Sequence, residues 1–184
     1  MEIVTIENKK EWDALLSRCE NVNILQTWEY GEAKQNVEGW IPVRNLITDG
    51  DKPIGIAQTL VRKIPLFRGI VRINRGPLIL SGHCTPHYDM SLKILDFLYN
   101  YWVKQKKMIL FIAPNILKDE IDNEKLQELG YNTTHNDAWA SILIDLSPDE
   151  VTLRKNLHQK WRNLLNKSEK MNLQLEICPL NKRL

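Results

Sequence analysis

Long apolar runs are missing from this 184-residue chain: none approaches the roughly 20 residues that a bilayer-spanning helix needs. The start, Met1-Glu2-Ile3-Val4, has neither the basic region nor the apolar core of a secretion signal, so the chain reads as cytoplasmic. Cysteine is scarce. Cys19, Cys84 and Cys178 lie far apart, in odd number and without a CxxC pair, which fits reduced thiols rather than a disulfide framework. Repeats and low-complexity tracts are absent, which removes solenoids and disordered classes. The net charge of +2 is too small to argue for nucleic acid from the total. What remains, 43% hydrophobic and 26% charged, is ordinary for a globular protein with one real core.

The order of elements is legible. Glu2 to Ile6 reads as a strand, and Asn8 caps a helix to about Arg18 with Trp12, Leu15 and Leu16 on its apolar face. Gln26 to Lys34 reads as a short helix capped by Thr27, with Glu29 near its start and Lys34 near its close. Trp40 to Thr48 and Ile54 to Ile64 are β-rich and joined by Asp49-Gly50-Asp51-Lys52-Pro53, a hairpin turn. Gly69 to Asn74 completes an antiparallel meander. The pattern then alternates: a long helix from Thr85-Pro86 to about Lys106, a fully buried strand from Met108 to Ala113, and a helix from Asp122 to Leu129 stopped by Gly130. Trp139 to Leu146 reads as the next strand. Ser147-Pro148-Asp149-Glu150 reads as a capping box that opens a helix to about Met171, and Leu173 to Ile177 as a further strand.

Several chemistries lack their residues. No GxSxG elbow is present, and no glycine-rich turn stands ready to cradle a pyrophosphate. Arg75-Gly76-Pro77 follows the meander, and its proline removes an amide that such a cradle would use. His83-Cys84-Thr85-Pro86-His87 gathers two imidazoles and a thiol, but His135 and His158 stand alone, so a loop with incidental histidines is the better reading and no metal is expected. Asp137 is a conceivable general base, although loop carboxylates are usually just solvated.

Two stretches carry more. Trp28, Glu29, Tyr30, Glu32 and Lys34 put aromatics, carboxylates and a cation on one short helix, as a ligand-facing element would; a plain amphipathic surface helix would use the same residues. Between Pro148 and Met171, Leu153, Leu157, Trp161, Leu164 and Met171 recur at spacings of three and four, as a buried stripe would. Arg154, Lys155, Lys160, Arg162, Lys167 and Lys170 occupy the shoulders and the opposite face. Such a face suits a polyanion such as tRNA or a diphosphate, or simply water.

The element order is that of the GNAT acyltransferase fold, and the chain further resembles the FemABX family of peptidoglycan interpeptide-bridge aminoacyltransferases. The resemblance rests on Leu25-Gln26-Thr27-Trp28-Glu29-Tyr30-Gly31-Glu32-Ala33-Lys34, on Gly39-Trp40 with Pro42 and Arg44, and on Pro53-Ile54-Gly55-Ile56-Ala57-Gln58 leading to Leu60-Val61-Arg62. It continues through Asn74-Arg75-Gly76-Pro77-Leu78, Ile144-Asp145-Leu146-Ser147, Leu153-Arg154-Lys155 and Lys160-Trp161-Arg162-Asn163. It implies an α/β fold with a mixed, largely antiparallel sheet flanked by helices. Residues 1–147 would form a GNAT-like first domain, and 148–184 the basic helix and strand that open an incomplete second one.

The implied reaction moves an amino acid from aminoacyl-tRNA to an amine of a UDP-linked or lipid-linked muramyl peptide. The resemblance implies that Lys34 contacts the precursor's diphosphate, that Arg162 is a second anion contact, and that Trp28, Tyr30 and Arg75 line the groove. No catalytic residue is nominated, and no cofactor is expected beyond the tRNA co-substrate. Two other readings stay open: a CoA-thioester-dependent N-acyltransferase of polysaccharide modification, and a non-catalytic binding module. The family normally carries two such domains, so a missing second half or a second copy would be the partner of the edge strand at Leu173 to Ile177. A peripheral membrane contact is left open.

Overall fold

Alternation of apolar and polar residues in the first third of the chain builds a sheet around one long central strand. The computed structural model describes residues 1–19, 21–65, 67–81, 87–116, 122–134, 144–171 and 173–174. These divide into two compact units, Met1–His135 and Asn136–Leu184.

The first unit holds strands β1 (Glu2–Thr5), β2 (Ile41–Asp49), β3 (Lys52–Ile64), β4 (Phe67–Asn74), β5 (Leu78–Ile79) and β6 (Ile109–Ala113). They run in the order β1-β2-β3-β4-β6, with β5 paired to β3. All neighbours are antiparallel except β4 and β6, which run parallel because a helical crossover separates them. Most of β3 is buried, which suits its continuous Ile-Gly-Ile-Ala-Gln-Thr-Leu-Val run. Helix α1 (Lys9–Leu16) is capped by Asn8, whose side chain accepts from the Lys10 and Glu11 amides, and it packs Trp12, Leu15 and Leu16 against Ile56 and Leu78. On the other face α3 (His87–Tyr99) packs Met90, Ile94 and Leu98 against Ile54, Val61, Val71 and Ile73.

Four differences from expectation concern this unit. The helix expected to end near Lys34 is α2 (Trp28–Glu38), preceded by a 3-10 turn at Ile24–Gln26. It stops only where Gly39, at φ 70, enters the left-handed region. The long helix expected to reach Lys106 is α-helical only to Tyr99 and finishes in a π-helical turn, Asn100–Gln105. The short strand β5 is unexpected, because two residues carry no periodicity. Strand β6 is not fully buried: Leu110 and Ile112 join the core, whereas Ile109 and Phe111 are 50% and 48% exposed. An alternation beneath an all-apolar sequence is invisible to hydropathy. Asp122 caps α4 (Asn123–Glu128), and Gly130 follows with φ 94.

In the second unit the expected single helix is two, α5 (Glu150–Asn156) and α6 (Gln159–Glu169). The cap is Asp149, which accepts from the Thr152 amide, so Pro148 lies outside the helix and the Ser147 capping box does not form. The chain breaks at Leu157, whose ψ is 138, and His158 caps α6 by accepting from the Lys160 amide. The expected buried stripe is therefore split: Leu153 and Leu157 are half-buried, while Trp161, Leu164 and Met171 are exposed. Most of the expected strand at Trp139 to Leu146 lies outside the described residues, as do Leu175 to Ile177 of the one after it. Ile144 to Leu146, Leu173 and Gln174 have no regular structure.

Candidate functional site

The ladder between β3 and its edge partners has a gap, and a side chain fills it. Strand β4 pairs Thr59 to Ile64 of β3, whereas β5 pairs Gly55 and Ile56. Between them, fully buried Gln26 accepts from the Gln58 amide at 2.7 Å and donates to the Asn74 carbonyl at 2.7 Å. Its side-chain amide thus stands where a backbone peptide would, and the Gln26 carbonyl accepts from the Trp12 indole at 2.9 Å. Gly76 is part of this fit, since a Cβ there would lie 2.8 Å from Gln26 Nε2.

Helix α2 is seated on the same frame. The Gln58 side-chain amide donates to the carbonyls of Leu25 and Thr27 at 3.2 and 2.8 Å and accepts from Arg44 Nε at 3.1 Å. Arg44, only 6% exposed, also donates to the Trp28 carbonyl at 3.0 Å and to Glu32 Oε1 at 2.9 Å. Its guanidinium lies 3.4 Å from the centre of the Trp28 ring. Burial pulls the Arg44 pKa down, opposed by Glu32. Gly31 lets this contact happen: a Cβ there would be 2.4 Å from Gln58 Oε1 and 2.8 Å from Arg44 Nη2.

The outer turns of α2 carry the charge. Tyr30 accepts from Asn74 Nδ2 at 3.3 Å, so the helix meets the end of β4. One turn on, the Lys34 ammonium is 5.6 Å from the Tyr30 ring centre and is ion-paired with Glu38. The Glu38 bond raises the Lys34 pKa above its usual value, against the opposing effects of desolvation and of the Arg72 charge on β4. Gly39 turns the chain back so that the Trp40 amide reaches the Lys34 carbonyl at 3.2 Å. This brings Trp40 Nε1 to 3.2 Å from the second oxygen of Glu38. Arg62 lies 4.5 Å from the Trp40 ring centre and donates to the Glu38 carbonyl, closing the helix end.

Of the five nominated residues, Trp28, Tyr30 and Lys34 share α2, and Arg75 follows Asn74 directly with φ 51. Arg162 belongs to the second unit, where it donates to the Leu157 carbonyl at 3.0 Å across the helix break. Arg154 there binds Glu169 and Asn166. Sequence reasoning gives Gln26, Arg44 and Gln58 no role of their own, and it misses Glu38. Glu38 was findable, standing four residues after Lys34 on a helix. His83, Cys84, His135 and Asp137 lie outside the described residues, as does the side chain of His87. Among the described residues no group of His, Cys, Asp or Glu is placed to hold a metal, and no helix is long and apolar enough to cross a membrane.

No protein-family model matches the sequence, and no curated protein matches it either. Among solved structures, FemX superposes with a TM-score of 0.64 at 19% identity, covering 92% of this chain and 44% of FemX. The chain thus spans less than half the length of that protein. An aminoglycoside 6'-N-acetyltransferase from Acinetobacter haemolyticus (17% identity, 79% of this chain, 100% of the other) reaches 0.43. A transcriptional regulator from Bacillus halodurans C-125 (12%, 77% and 99%) reaches 0.45. Likeness at those two scores carries no argument. The mixed sheet, the flanking helices and the FemX superposition together give this chain a FemABX-like GNAT fold.

Proposed function

We propose that this chain is the precursor-binding part of an aminoacyltransferase of peptidoglycan bridge formation. The observation that carries the reading is the Lys34 ammonium, fixed between the Tyr30 ring and the end of α2 on a frame that Gln26, Gln58 and Arg44 hold rigid. Arg72 adds a second positive charge nearby on β4. A cation beside the Tyr30 ring, with the charge of Arg72 acting on it from β4, suits a diphosphate, whose oxygens accept charge-assisted hydrogen bonds. A UDP-linked or lipid-linked muramyl peptide presents that group.

The reaction needs little from the protein beyond placement. The precursor's amine attacks the ester carbonyl of aminoacyl-tRNA; a C–N bond forms, the ester C–O bond breaks, and the amine proton ends on the departing ribose oxygen. Groups on the two substrates can pass that proton, so the protein's part is to hold the amine and ester together. Arg162, on the basic α6, is proposed as an additional anion contact, and Arg75 and Trp28 as groove residues.

Titration with a UDP-linked muramyl pentapeptide tests this reading. Wild type binds, and Lys34→Ala weakens binding by about tenfold or more, as expected for losing a charged hydrogen bond. Absence of wild-type binding, or an unchanged Kd in Lys34→Ala, would overturn it. Stabilisation by CoA thioesters instead of the precursor would redirect it to an acyl-CoA enzyme.

A further inference from the structure

The Lys34 ammonium is already engaged by a carboxylate, and the way that carboxylate is held calls for explanation. Glu38 is the last residue of α2, where the helix dipole disfavours negative charge. Three contacts hold it against that cost. Lys34 takes one oxygen, Trp40 Nε1 takes the other at 3.2 Å, and Arg62 binds its carbonyl. Trp40 and Arg62 are themselves stacked, with 4.5 Å between the guanidinium and the ring centre. The carboxylate is thus aimed at Lys34 by Trp40, which Arg62 in turn backs by stacking on its ring, an arrangement that an incidental surface pair would not need.

We infer that Glu38 is a specificity-determining residue that competes with the anionic ligand for Lys34. The inference rests on the reading of Lys34 as an anion contact. A monoanion offers the ammonium nothing that Glu38 does not offer at higher effective concentration. A diphosphate brings more charge and more acceptor oxygens than a carboxylate does. Glu38 therefore raises the threshold for binding and biases the site toward multiply charged phosphate esters over peptide carboxylates. When the ligand displaces it, the carboxylate keeps Trp40 as a partner and water as another, so displacement leaves no buried charge stranded. Lys34 and Glu38 side chains are 25% and 43% exposed, which keeps the competition modest.

The test is calorimetric titration of wild type, Glu38→Gln, Lys34→Ala and the double variant with the UDP-linked muramyl pentapeptide, and separately with inorganic pyrophosphate. Glutamine keeps the size of the side chain and its bond from Trp40. The expected result is a two- to fivefold tighter Kd in Glu38→Gln, the range that a partly exposed helix ion pair supports, with no gain from the same change in the Lys34→Ala background. An equal or weaker Kd in Glu38→Gln, with Lys34→Ala still impaired, overturns the inference and leaves the proposed function standing. An equal gain in both backgrounds also overturns it, because that marks a general charge effect. If no variant binds, or Lys34→Ala binds like wild type, the functional reading fails and the inference fails with it.

Discussion

Gln26 shows how much one side chain can decide. Its two amide atoms meet two backbone groups that the ladder gap leaves to it, the buried Gln58 N–H and the half-buried Asn74 C=O. Gln26→Ala would leave both unsatisfied and open a hole, so we expect a loss of roughly 2–5 kcal/mol, read by urea denaturation with fluorescence detection. Cys19 makes the opposite point, a reactive group kept quiet. It is half-buried, its thiol donates to the Leu15 carbonyl at 3.5 Å, and desolvation pushes its pKa up to about 11. In a variant with Cys84→Ser and Cys178→Ser, alkylation at pH 8 should run roughly a hundredfold slower than for a free thiol. The sign for stability follows from the raised value. The folded state holds the proton more tightly than the unfolded chain, so this contribution is intact below pH 9.0 and is lost as pH rises toward about 11. A urea midpoint that stays flat across that window would contradict it.

At the scale of elements, what could be read from the sequence followed from local signals. Asn8 and Thr27 cap the helices that their side chains predict, and the turn expected over Asp49 to Pro53 is made at Gly50-Asp51, with Asp49 already paired to Lys52. What could not be read depended on partners far away in sequence. The half-exposure of β6 depends on which sheet face a helix covers; the break at Leu157, sealed by Arg162 five positions on, is the local exception. The role of Gln26 was hidden for the same reason, since its partners lie 32 and 48 positions away. Lys34 was legible as a cation on a helix with aromatics, and Glu38 as its partner four residues on, whereas the hold of Glu38 by Trp40 and Arg62 needed three-dimensional neighbours. The elements also differ in how firmly they are held. Strand β3 has ladders on both sides and a mostly buried backbone, while α5 and α6 bury no residue fully. Amide exchange followed by mass spectrometry should find peptides of β3 protected longest and those of α5 and α6 exchanging first. Equal protection in both would mean that the second unit has packing beyond what its helices show.

At the scale of the whole first unit, two apolar clusters of described residues face opposite sides of one sheet, one under α1 and one under α3. The candidate site lies where the first of these layers gives way to polar contacts. The buried row of Gln26, Gln58 and Arg44 continues the layer under α1 as a hydrogen-bonded network instead of an apolar one. Hydrophobic packing tolerates small slides between layers, whereas a chain of directed hydrogen bonds does not. Helix α2 is therefore referenced to the sheet as a gauge block is to a surface plate: any tilt would have to break ladder-equivalent bonds at its foot. The position of the Lys34 ammonium, two turns above that foot, is inherited from strand register, so the tolerance of the site is that of the sheet itself.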